Sequence, residues 1–259
     1  MKNIVLPAVI LMALPALASA SGTQLIANGN FETGNLSGWT VAVQGNPSDT
    51  THQDGFYNIS NGGTTPISGN PTDTNPGGGN DFAVSDTNYP DAVALLQTVV
   101  IPKNYTSLNL SYDMFVNDWS GIGPVGQNYG LDYTAAGTFN DMQYARVDLL
   151  SGTASALSTS ATDVVQNFYN GVDNAGGVPP NPWVQYSFNL NGLAAGTYQL
   201  RFAEVSNNLA INMGVDNVSL VAGVPPAVPE VGSAWGMICL LGGCSLAARR
   251  KRTTATSRA

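Results

Sequence analysis

Polar and apolar residues alternate with a period of two over several short stretches of this chain, and a helical i, i+3, i+4 pattern is almost absent. Ser107–Phe115 shows the alternation best, with Leu108, Leu110, Tyr112 and Met114 on one side and Ser107, Asn109, Ser111 and Asp113 on the other. That is the pattern of an antiparallel strand with one face buried. Met142–Leu150 alternates similarly and offers Tyr144, Val147 and Leu149 as core residues. Ala92–Ile101 is apolar enough for a strand buried on both faces. Further strands are predicted over Leu25–Ala27, Trp39–Val43, Asp81–Ser85, Trp183–Leu190, Thr197–Val205 and Gly214–Val221.

Glycine, asparagine, aspartate, serine and threonine interrupt these runs at short intervals, and nothing between them has the length of a crossover helix. The pattern predicts an all-β, antiparallel jelly-roll β-sandwich over residues 21–222. Two segments carry no strand pattern. Residues 61–80 are rich in glycine, proline, threonine and asparagine, and residues 119–140 hold glycines with scattered tyrosines. Both are expected to be long surface loops.

The two ends follow a different logic. Lys2 precedes an apolar run from Ile4 to Leu17, and Ala18-Ser19-Ala20 supplies the small-x-small pattern of a signal-peptidase site. Residues 1–20 are therefore expected to be a signal peptide, and export to follow. At the other end, residues 223–231 form a proline-rich linker. Residues 232–248 carry no charge and are followed at once by Arg249-Arg250-Lys251-Arg252. As a helix that apolar stretch would be about 25 Å long, close to the span of a bilayer core of about 30 Å. The basic cluster would keep residues 249–259 on the cytoplasmic side of the inner membrane.

Composition narrows the chemistry. Both cysteines, Cys239 and Cys244, fall inside the apolar tail segment, so the domain has no disulfide framework. Between Glu32 and Glu230 lie seventeen acidic residues and three basic ones, Lys103, Arg146 and Arg201, a formal charge of −14. Such a surface is a poor partner for nucleic acid, whose phosphates demand lysine and arginine. Cations and neutral polymers such as polysaccharide remain compatible with it.

The tail resembles the PEP-CTERM sorting signal, on Val228-Pro229-Glu230, the apolar segment Trp235–Leu246 and Arg249, Arg250, Lys251 and Arg252. Val231 stands where that family usually has proline. The resemblance implies retention in the inner membrane until an exosortase-type enzyme processes the tail and releases the protein to the cell surface or extracellular matrix. Within the domain, Asn28-Gly-Asn-Phe-Glu-Thr-Gly34 with Gly38-Trp39, and Gly214-Val-Asp-Asn-Val-Ser-Leu220, resemble the first and last strands of galactose-binding-like jelly rolls and related carbohydrate-binding modules. That resemblance implies adjacent chain ends and a structural Ca²⁺ held by Glu32 and Asp216, with Asn30 and its neighbours supplying further oxygens. Oxygen donors of this kind suit calcium.

Catalysis finds little support in these residues. His52 is the sole histidine, which excludes the usual His/Cys zinc sites and leaves any serine triad dependent on one loop residue. Gly121-Ile-Gly-Pro-Val-Gly126 matches a dinucleotide-binding pattern literally, but Pro124 lies within it and no helix follows. Paired carboxylates would suffice for a glycosidase, with Glu204 the candidate general acid. Sugar rings stack on exposed aromatics, and Trp119 and Trp183 are the candidate carbohydrate-binding residues, whereas Trp39, Tyr112, Tyr186 and Phe202 fit core positions. The expectation is a non-enzymatic exported protein that binds polysaccharide, with a secreted carbohydrate-active hydrolase or a purely structural adhesion protein as alternatives.

Overall fold

The computed structural model describes residues 22–44, 56–73, 79–86, 89–135, 141–172, 179–207 and 211–223. The signal peptide, His52, the linker, the apolar tail and the sorting motif all lie outside the described residues. Among the described residues no helix is long and apolar enough to cross a membrane.

Among the described residues thirteen strands alternate with turns: β1 (Gly22–Gln24), β2 (Thr40–Val43), β3 (Phe56–Ser60), β4 (Gly63–Thr64), β5 (Pro71–Thr72), β6 (Phe82–Asp86), β7 (Asp91–Ile101), β8 (Ser107–Asp118), β9 (Gln143–Ser151), β10 (Val164–Gly171), β11 (Val184–Asn189), β12 (Gly196–Ser206) and β13 (Ile211–Gly223). One sheet has the order β11-β8-β13-β6-β3, with the short β1 also paired to β13. The other has the order β10-β9-β12-β7-β2, and β4 and β5 form a small separate hairpin. Every pairing is antiparallel. The predicted sandwich is what forms.

Inward-facing residues of the two sheets meet in a common core. Tyr112 of β8 packs edge-on against Phe202 of β12 at 5.2 Å, and Trp39 sits 6.1 Å from the same ring. Tyr112 also stacks on Tyr186 at 5.1 Å. β8 alternates between buried and exposed only in its first half, because its second half is covered on both faces. There Phe115 joins Phe82, Val84 and Trp183 in a smaller apolar cluster on the outer face of the six-stranded sheet.

Four segments depart from the sequence prediction. Leu25–Ala27 is not a strand. The first strand is β1, immediately before it, although the Leu25 amide still donates to the Leu220 carbonyl at 2.8 Å. β3 and β10 were not predicted. In β10, register shifts between Val164 and Gln166 and between Asn167 and Tyr169 destroy the period of two that marks a strand. The expected loop 61–80 contains the β4–β5 hairpin.

Candidate functional site

The first and last strands of the described domain meet as the sequence motifs imply, and the meeting point is built from unusual backbone. Among the described residues three non-glycine residues have a left-handed backbone: Asn28 (φ 49°), Phe31 (φ 55°) and Asn217 (φ 50°). All three lie in the Asn28–Gly34 turn or beside Asp216. Asparagine tolerates this conformation, but a buried phenylalanine adopts it only where the surroundings over-determine it. Phe31 is fully buried against Trp39, with ring centroids 5.5 Å apart, and the Trp39 indole donates to the Asn28 carbonyl at 3.0 Å. The Val218 amide donates to the Gly29 carbonyl at 2.8 Å, which docks the turn along β13.

Those constraints bring carboxylates together. β13 shifts register between Asp216 and Ser219, and just before the shift Asp216 lies directly opposite Asp113 of β8. Asp216 is only 1% exposed. Burial, then the neighbouring charges of Asp113 and Glu32, push its carboxyl up to about 7, despite a 2.7 Å hydrogen bond from the Asn217 amide. Asn217 also donates through Nδ2 to Asp113 Oδ2 at 2.9 Å. Glu32 Oε1 accepts the amides of Asn80 at 2.8 Å and Asp81 at 3.1 Å. Asn30 stands exposed on the same turn, with no contact tying it to Asp216.

Glu32 and Asp216 are thus neighbours, and Asp113 is a third acidic group that the sequence pattern did not single out. The donor chemistry fits a hard cation, which would relieve the repulsion that raises Asp216. As they stand, no three histidine, cysteine, aspartate or glutamate side chains among the described residues are close enough to hold a metal ion.

Beside this cluster lies an open cleft of about 540 Å³, lined by Gly34, Ile59, Ser60, Asn61, Gly62, Thr64, Pro66 and Asp81. Asp81 joins it to the carboxylate cluster, since its amide is one of the two that Glu32 holds. The lining is chiefly hydroxyl, amide and backbone, with one carboxylate.

Trp119 and Trp183 do not line this cleft. Trp119 is half-buried and donates from its indole nitrogen to Asn212 Oδ1 at 3.0 Å. Trp183 packs edge-on against Phe115 at 4.8 Å and Phe82 at 5.1 Å. Glu204 lies between the sheets with no exposure, and neither carboxylate oxygen has a hydrogen-bond partner. Burial raises its pKa well above the ordinary value, and Asp91 and Asp86 add to the rise. The nearby Ser85 hydroxyl opposes the rise, more than either aspartate adds to it, while bonding to the Met213 backbone. The glycine-rich segment 121–126 is a loop, as expected, folded around Asp118. That carboxylate accepts the amides of Ser120, Gly121 and Gly123.

No protein-family model and no curated protein matches the sequence. Several solved structures are similar to part of it. The carbohydrate-binding module TmCBM61, solved with β-1,4-galactotriose, is 12% identical with a TM-score of 0.42, covering 76% of this chain and 97% of that one. The Stig cyclase FisC from Fischerella sp. TAU is 19% identical with a TM-score of 0.46, covering 79% and 100%. The enzymatically active domain of tailspike protein 4 from bacteriophage CBA120 is 14% identical with a TM-score of 0.44 and covers 77% of this chain. This chain spans about a fifth of the tailspike's length, 21%. With identities of 12–19% and TM-scores of 0.42–0.46, these likenesses carry no argument about this chain.

Proposed function

We propose that the protein is an exported, non-enzymatic component of the cell surface or extracellular matrix whose sandwich binds polysaccharide. The observation that carries this reading is the open cleft of about 540 Å³ beside the junction of the chain ends. Its Ser60, Asn61 and Thr64 side chains and neighbouring backbone offer the hydrogen bonds that a neutral sugar requires. A glycosidase flanks its scissile bond with two carboxyl groups, whereas this lining has one, Asp81. Glu204 reaches no part of the lining.

Ca²⁺ has a structural role in this reading. Held by Glu32 and Asp216, with Asn30 at the rim, it would neutralise these carboxylates and fix the turn that forms one wall of the cleft. Val228, Pro229 and Glu230, the apolar residues 232–248 and the cluster Arg249–Arg252 would hold the newly exported chain in the inner membrane until an exosortase cuts it free.

Glycan-array binding by wild type and by Asn61→Ala, Trp119→Ala and Trp183→Ala variants tests the reading. Loss of binding in Asn61→Ala supports the cleft, and loss only in the tryptophan variants moves the site to the outer face of the six-stranded sheet. Absence of binding to every glycan, including the producing cell's own polymer, refutes it. Retention of full-length protein at the membrane when the four basic tail residues are replaced by glutamine would refute the sorting role.

A further inference from the structure

The cleft beside the junction carries a single charge, and nothing in the described fold answers it. Of the described residues that line the cleft, Ser60, Asn61 and Thr64 bring hydroxyl and amide groups, Ile59 and Pro66 bring apolar surface, and Asp81 alone is charged. Asp81 stands just before β6 and gives its amide to Glu32 Oε1 at 3.1 Å. The residue is half-buried, and among the described residues its carboxylate accepts no hydrogen bond and forms no ion pair. Gly34 faces it. A Cβ on Gly34 would meet Asp81 Oδ2 at 3.7 Å and, beyond its chain neighbours, nothing else within 4 Å, so glycine leaves this oxygen without a side chain over it. Ser60 pairs with Phe82 across β3 and β6, which sets it next to Asp81, and it is only 8% exposed.

The basic residues of the domain are committed elsewhere. Arg146 and Arg201 both pair with Asp148 in the five-stranded sheet, and Lys103 lies in the turn between β7 and β8. The charge beside the cleft has the same sign as Asp81, because Glu32 holds the Asp81 amide. The formal charge of −14 between Glu32 and Glu230 deepens the negative potential. A neutral sugar meets only ordinary hydrogen bonds there, and an acidic sugar is repelled. A sugar with an ammonium group gains a charge-assisted hydrogen bond to the carboxylate and neutralises it.

We propose that the cleft binds its glycan through a hexosamine whose amine is free. The ammonium donates to Asp81, the ring hydroxyls bond to Ser60, Asn61 and Thr64, and Ile59 and Pro66 lie against the ring. The inference rests on the glycan-binding reading and names its ligand class. N-acetylation removes the positive charge and adds bulk at the same nitrogen, so the preferred polymer is one wholly or partly without N-acetyl groups. Calcium and the amine do not compete in this arrangement, because the ion falls to Glu32 and Asp216 and the sugar to Asp81.

The test titrates the protein with methyl β-D-glucosaminide, methyl N-acetyl-β-D-glucosaminide and methyl β-D-glucoside, following the Asn61 side-chain amide by NMR. The glucosaminide is expected to shift that signal and to bind about tenfold tighter than either of the others, the scale of one charge-assisted hydrogen bond. The preference should shrink as salt is added and should persist when calcium replaces chelator in the buffer. Asp81→Asn, which keeps the side chain's shape, should abolish it, and Asp81→Glu should retain part of it. Thermal melting checks that both variants fold, and the wild-type titrations decide the matter where one does not. Equal binding of glucosaminide and glucoside, a preference that survives in Asp81→Asn, or one that calcium erases overturns the proposal and leaves the glycan-binding reading intact. Failure of all three probes alongside binding to some glycan on the array has the same consequence. If no probe binds and no glycan binds on the array, both fall.

Discussion

Replacing Asp216 with asparagine removes one charge from the junction of the chain ends while preserving the side chain's shape and the oxygen that accepts the Asn217 amide. In the wild-type protein burial and the charges of Asp113 and Glu32 raise this carboxyl from 3.8 to about 7. A group raised in this way contributes stability that is fully present below its unfolded value. That stability is lost as pH climbs through the folded value. The raise is about three units, and at about 1.4 kcal/mol per unit the ionised form carries an upper-bound penalty of about 4 kcal/mol. Solvent relaxation around the Glu32 side, which is exposed, should reduce this to about 2 kcal/mol. In a domain of this size that is a melting shift of about 4–8 °C. The assay is thermal unfolding in chelator between about pH 3.8 and about pH 8, the window from the unfolded value to just past the folded one, comparing wild type with Asp216→Asn. Wild type should lose the difference across that range while the variant holds it. Calcium should restore wild type at the upper pH, because an ion that binds only the folded state stabilises by mass action. It should do little for the variant. Parallel pH profiles for the two proteins would refute the argument that Asp216 is penalised by its surroundings. Equal stabilisation of both by calcium would place the ion elsewhere.

Glu204→Gln should be more stable than wild type at about pH 8 and no more stable at about pH 4, because Glu204 is raised and its neutral form is the one that folding favours; urea denaturation at the two pH values checks this. Arg201→Met should cost about 1.5–3 kcal/mol, since it removes charge-assisted hydrogen bonds to Asp148 while Arg146 still pairs that carboxylate, and should open residues 152–163 to protease by releasing the Ala156 and Ser158 carbonyls. Gly29→Ala should lower stability by about 1–3 kcal/mol, because the new Cβ would stand 2.0 Å from the Val218 carbonyl oxygen; thermal melting reads the loss directly.

The long strands were legible because burial of one face, or of both, writes itself into composition. β7, β8, β9, β12 and β13 fall within a few residues of the runs that predicted them. β10 was not legible because two register shifts break its alternation, and β3 because Phe56–Ser60 mixes intermediate and buried positions without a regular period. Glu32 and Asp216 were legible as a pair through their motifs. Asp113 was not, because in sequence it is simply the polar member of an alternating strand. Only the β8–β13 register places it opposite Asp216. The left-handed Phe31 leaves no mark in sequence at all, since nothing about a phenylalanine announces a positive φ.

Acidity itself changes meaning once the partners are known. Read from composition, it accounts for solubility. In the fold, individual carboxylates tether loops. Asp86 accepts the Ile67 and Ser68 amides, Asp118 gathers the 120–123 loop, and Asp132 takes Gln44 and Thr134. Hydrogen bonds from Thr134 and Gln44 hold Asp132 below its ordinary pKa, and those from Ser120 and the loop amides do so for Asp118 against the opposing pull of burial. Groups lowered in this way give stability that is lost as pH falls. Asp216 and Glu204 run the other way and cost stability as pH rises. The two classes therefore squeeze the domain from opposite sides of the pH scale. A cation at the chain-end junction relieves only the alkaline side, and only through Asp216. Calcium should accordingly widen the stable range upward in pH while leaving the acid limb, set by the loop tethers, where it is.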